Sequence, residues 1–85
     1  MRINDGFICK RVLDNDILID INNDSKAIYK LNETSKYIYD LVKENKTLDE
    51  IINSVKDKYN IDIQIAKQDV TEFINKLKEL KVIID

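Results

Sequence analysis

The sequence predicts an α+β domain in which a three-stranded antiparallel sheet comes first and three helices follow. Short β-branched and apolar runs, separated by turn-forming residues, fill the first third of the chain. Beyond Leu31 the apolar residues recur at helical spacing. Two helix-start signatures, at Asn32 and Thr47, stand close together where the period changes.

Residues 7–13 (FICKRVL) and 17–21 (ILIDI) read as strands, with Asp14-Asn15-Asp16 as the turn between them. Asn22-Asn23-Asp24-Ser25 punctuates the chain again before a third run, Lys26-Ala27-Ile28-Tyr29-Lys30-Leu31. Strands joined by turns this short form an antiparallel meander.

Asn32 is suited to cap the first helix, because its side-chain oxygen can accept from the backbone N–H of Thr34 or Ser35, and Glu33 sits at the positive end of the helix dipole. Tyr37, Ile38, Leu41 and Val42 continue the stripe, and Asn45 can take the left-handed conformation of a helix exit. Tyr39 falls off that stripe and is expected to be partly exposed. Thr47-Leu48-Asp49-Glu50 has the form of a capping box and opens a second helix, whose apolar face is Leu48, Ile51, Ile52, Val55 and Tyr59. A third helix, starting between Ile63 and Ala66, carries Ala66, Val70, Phe73, Ile74, Leu77 and Leu80 on one stripe. Val82-Ile83-Ile84 leaves the helical pattern, either to rejoin the sheet or to cover the core. Strands followed by three helices, two of them closely joined, describe a winged helix-turn-helix layout with the strands placed first.

Eighty-five residues make one domain, expected over 1–85, with room for one core and one site. Fourteen basic and sixteen acidic residues give a net charge of -2 without a block of one sign, which argues against nucleic-acid wrapping or membrane-surface binding. The N-terminal stretch is polar and no apolar targeting region follows it, so a cytoplasmic location is expected. Cys9 is the sole cysteine and there is no histidine, so the commonest general base, the commonest metal ligand and the usual partner of a nucleophilic thiol are all missing. The sequence therefore predicts no catalytic residue, no metal site and no cofactor. The expected role is binding.

The order Leu31-Asn32-x-Thr34-x-x-x-Ile38-Tyr39-x-Leu41, then Thr47-x-x-Glu50-Ile51, then Tyr59, then Asp69-Val70-x-x-Phe73-Ile74-x-x-Leu77 resembles the PqqD-like family, whose members are also called RiPP recognition elements. Where the family often has glycine, between its first two helices and before its final apolar pair, this chain has Asn45 and Lys81. The resemblance implies a module without catalytic activity that captures the leader segment of a ribosomally made precursor peptide and presents it to a maturation enzyme, such as a radical SAM maturase or a lasso-peptide protease and cyclase pair. It further implies that the leader adds as a strand beside the third strand, in a groove closed by the third helix.

The residues agree with that implication. A three-stranded meander has two edges, and an exposed edge offers unpaired N–H and C=O groups to an extended peptide. The candidate edge is Lys26, Ala27, Ile28, Tyr29 and Lys30; its lysines serve equally well as a guard against accidental pairing. On the third helix Asp69, Val70, Phe73, Lys76 and Leu77 are the candidate contacts. Val70, Phe73 and Leu77 suit core packing as well as ligand contact, and if Phe73 is core its truncation to alanine costs about 3–5 kcal/mol. A free edge also permits pairing with a second copy, so a homodimer is a further possible partner. The rival reading is a DNA-binding regulator using Lys67, Gln68, Thr71, Asn75 and Lys78, against which Asp69, Glu72, Glu79 and the net negative charge weigh.

Overall fold

The computed structural model describes residues 1–84. Its elements are β1 (Arg2–Ile3), β2 (Phe7–Val12), β3 (Asn15–Asp20), β4 (Lys26–Leu31), α1 (Glu33–Lys43), α2 (Leu48–Tyr59), α3 (Ile63–Glu79) and β5 (Ile83–Ile84). Strands β2, β3 and β4 form the expected antiparallel meander in that spatial order, so β2 and β4 are its edges. The row Cys9, Leu18 and Tyr29 runs across the sheet toward the core, with Leu18 fully buried.

The first turn is tighter than the sequence suggested. Val12 pairs with Asn15, so Asn15 and Asp16 belong to β3 and the turn is Leu13-Asp14. Leu13 takes φ 58° there, in the left-handed region that two-residue hairpin turns require at their first central position. Between Leu18 and Ile19 the register with β4 shifts, because Leu18 faces Tyr29 and Ile19 faces Ala27. Ile28 is the extra residue of this bulge, and both Ile28 and Tyr29 pack against the core.

The helix starts follow their capping chemistry. Asn32 Oδ1 accepts from the Ser35 N–H and hydroxyl, each at 2.8 Å. Thr47 Oγ1 accepts from the Glu50 N–H at 3.2 Å while Glu50 accepts from the Thr47 N–H at 2.9 Å, completing the capping box. That bond from Thr47 holds the Glu50 carboxyl below its ordinary range. The box is therefore fully effective above the usual glutamate pKa and fades as pH falls through the lowered value. Thr47→Ala is expected to cost about 1 kcal/mol in a urea titration. Helix α3 begins at Ile63 because Asp62 Oδ1 accepts from the Gln64 N–H at 2.8 Å, a cap that the sequence reading passed over.

The helix exits explain the two replaced glycines. After α1 the Asn45 and Lys46 N–H groups donate to Val42 and Leu41 carbonyls, and after α3 the Lys81 and Val82 N–H groups donate to those of Lys78 and Leu77. Each is a Schellman closure, which places its C′ residue in the left-handed region: Asn45 at φ 63° and Lys81 at φ 66°. Asparagine tolerates that conformation, whereas lysine is strained by its Cβ. Lys81→Gly is expected to raise the unfolding free energy by about 0.5–1 kcal/mol, the strain relief being partly offset by glycine's larger unfolded-state entropy. A urea midpoint measures it.

Two expectations are corrected. Tyr39 is 2% exposed and belongs to the core. Helix α1 is covered on more than one side, so Ile38, Tyr39, Leu41 and Val42 are all buried and a single-stripe reading undercounts its interior face. The chain also has a strand at its start: Arg2 and Ile3 pair with Ile84 and Ile83 in a separate two-stranded sheet. The segment 82–84 thus pairs with β1 rather than the meander and covers the core as well, with Val82 and Ile83 buried. Asn4 fastens this junction, its N–H donating to the Val82 carbonyl at 2.7 Å and its side-chain amide to the Lys81 carbonyl at 3.0 Å.

Candidate peptide-binding cleft

A cleft of about 420 Å³ runs between β4 and α3, closed at one end by the start of α1. Its apolar part comes from Tyr29 on β4, Phe73 on α3 and the buried Ile38. The Tyr29 and Phe73 rings meet at a centroid distance of 6.3 Å and a tilt of 36°, joining the sheet to the helix at the base of the cleft. Asp69, Glu72 and Lys76 form the α3 rim, and Asn32, Thr34 and Ser35 the α1 end.

The spacing of α3 explains its contribution. Asp69, Glu72, Phe73 and Lys76 stand at i, i+3, i+4 and i+7, which is one face of a helix. Val70, Ile74 and Leu77 are on the neighbouring face and are buried. The candidate contacts therefore divide. Asp69, Phe73 and Lys76 line the cleft, whereas Val70 and Leu77, both 0% exposed, present no surface to it and hold α3 against the core. Glu72 was missed, although the i+3 position from Asp69 points to it; Gln68 donates to its carboxylate at 3.2 Å. Asn32, Thr34 and Ser35 were legible as a helix start only, since their place beside Tyr29 depends on how α1 leaves β4.

Of the candidate edge residues, Tyr29 lines the cleft, Ile28 is half-buried, and Lys26, Ala27 and Lys30 are exposed. All five lie on an edge strand with no neighbour on its outer side among the described residues. The rim carries two carboxylates beside one ammonium, so an incoming segment meets acidic groups at Asp69 and Glu72 and a basic one at Lys76. Cys9 lies outside this cleft, and burial pushes its thiol up, which disfavours the nucleophilic thiolate.

An open sheet edge beside a helix-walled groove is the geometry that takes an extended segment as an added strand. The family model described as "Coenzyme PQQ synthesis protein D (PqqD)" matches residues 18–83, and the chain belongs to that family. Two solved structures are similar in fold. TbiB1 in complex with the TbiA(beta) leader peptide superposes with a TM-score of 0.83 at 20% identity, covering 100% of both chains. A lasso peptide synthetase B1 complexed with the leader peptide gives 0.85 at 15% identity, covering 99% of this chain and 96% of that one. No curated protein matches the sequence.

Proposed function

We propose that this chain is a RiPP recognition element, which binds the leader segment of a ribosomally synthesised precursor by strand addition and delivers it to a maturation enzyme. The observation that carries this reading is the unpaired edge of β4 running beside the α3 cleft, in a chain of the PqqD family. The two fold relatives recorded with leader peptides support it. Along Lys26, Ala27, Ile28, Tyr29 and Lys30, the main-chain groups that face away from β3 supply sequence-independent affinity. Side-chain selection falls to Tyr29 and Phe73 in the cleft, with Asp69, Glu72 and Lys76 at its rim.

The chain contributes no catalytic group in this role. It raises the concentration of the precursor near an enzyme, a radical SAM maturase or a lasso-peptide protease and cyclase among the candidates, and leaves the peptide chemically unaltered. Cytoplasmic action fits this role, and no described helix is long and apolar enough to cross a membrane.

Titrating a candidate precursor leader peptide into isotope-labelled protein tests the reading. The amides of residues 26–30 and 69–76 are expected to shift most, and affinity is expected to fall only modestly with salt, because screening weakens mainly exposed charge pairs. Shifts confined to Lys67, Thr71, Asn75 and Lys78 would overturn it.

A further inference from the structure

The opposite face of the meander is largely apolar and has no element packed over it among the described residues. Because Cys9, Leu18 and Tyr29 point to the core, the rows on either side of theirs point outward. One row is Ile8, Ile19 and Ala27; the other is Lys10, Ile17 and Lys30. Val12 extends the face toward the hairpin tip. Ile8 and Val12 are 43% and 47% exposed; Ile17 and Ile19, on the central strand, are half-buried, and neither packs against the core.

Leu13 gives an independent observation. It is 89% exposed at the tip of the hairpin and holds a left-handed conformation that glycine or asparagine would adopt with less strain. Within the folded chain this leucine gains almost no burial and carries backbone strain. Burial of the leucine by a partner would offset both costs, although the backbone strain itself remains.

Charge narrows the kind of partner. Lys10 and Lys30 flank Ile17 across the sheet, neither is ion-paired among the described residues, and the two outward rows contain no carboxylate. Two copies packed through this face would bring four lysines together without a counter-charge, which disfavours a homodimer. A surface that fits must be apolar with carboxylates at its border.

We propose that the outward sheet face, Ile8, Val12, Ile17 and Ile19 with Leu13 at its tip, docks the enzyme that acts on the captured peptide, and that this enzyme presents an apolar patch bordered by carboxylates. The proposal rests on the leader-binding reading and adds the surface that completes it. The cleft opens on the core side of β4 and this face on the other, so both are occupied at once. A peptide strand added to β4 continues the same sheet, which places an enzyme docked there beside the leaving end of the peptide.

The test uses this chain, a candidate maturation enzyme and the leader of that enzyme's precursor, with both affinities measured for each variant. Leu13→Asn relieves the turn, Ile17→Thr keeps a β-branched residue in the central strand, and Lys10→Glu reverses one charge; thermal melts check that each folds. Leader affinity is expected to stay within about twofold, while enzyme affinity falls about tenfold or more in the Leu13→Asn, Ile17→Thr double variant and in Lys10→Glu. Unchanged enzyme affinity overturns the docking surface, as does a wild-type dimer that these substitutions dissociate without loss of enzyme binding. Should the wild type bind the enzyme through this face yet fail to bind any leader, the capture reading falls and the docking surface stands.

Discussion

Tyr39→Ala is expected to lower the unfolding free energy by about 3–5 kcal/mol, the range for emptying a large buried aromatic site. Tyr39 is 2% exposed and is among the largest fully buried side chains, with Lys43 lying over its ring 5.9 Å from the centroid. A domain of this size has few such side chains and about 5–15 kcal/mol in total, so the variant should be largely unfolded in mild urea. Tyr39→Phe separates the ring from its hydroxyl. Burial pushes the phenol from 10.0 up to about 12, so the folded state keeps its proton where the unfolded chain would ionise. Tyr39 therefore supports the fold fully below about pH 10 and progressively less as pH rises toward about 12. Urea midpoints measured across that interval should decline more steeply in the wild type than in Tyr39→Phe, and equal slopes would mean that the phenol is in contact with water.

What the sequence disclosed and what it hid follow from the range of the interactions involved. Asn32, Thr47, Glu50 and Asn45 act on backbone groups a few residues away, so their roles were legible without knowledge of the fold. The meander was legible because its turns are short, although the pairing of Val12 with Asn15 moved the first turn to Leu13-Asp14. β1 was not legible. Arg2 and Ile3 show no period of their own and become a strand only by pairing with the far end of the chain. The burial of Tyr39 was hidden for a related reason, since a helix covered on several sides has no single apolar stripe to read.

The cleft divides in the same way. Its β4 wall could be named because a meander of three strands has two edges, and the family resemblance selects the third strand of the two. Its α3 wall could not be sorted by hydropathy, since Val70, Phe73 and Leu77 are all apolar and belong to neighbouring faces. Only the fold sorts it: Asp69, Glu72 and Lys76 share a face with Phe73 and line the cleft, whereas Val70 and Leu77 turn to the core.

Phe73→Ala is therefore expected to separate binding from stability, in contrast to the loss of about 3–5 kcal/mol appropriate to a core position. Phe73 is half-buried, lines the cleft, packs against the edge of the core and meets the Tyr29 ring, so its truncation should cost about 1–2 kcal/mol, in keeping with partial burial and one aromatic contact. Val70, Ile74 and Leu77 remain to hold α3 in place. Binding should suffer more. A peptide strand at β4 has one apolar recess to fill, between Tyr29 and Phe73, and removing one wall of a central aromatic pocket typically costs 2 kcal/mol or more, about thirtyfold in Kd. Fluorescence anisotropy with the labelled leader and a thermal melt on the same sample measure both quantities. A variant that unfolds would return Phe73 to the core, while a folded variant with unchanged leader affinity would remove the cleft from the binding site and leave the main-chain edge of β4 to account for capture alone.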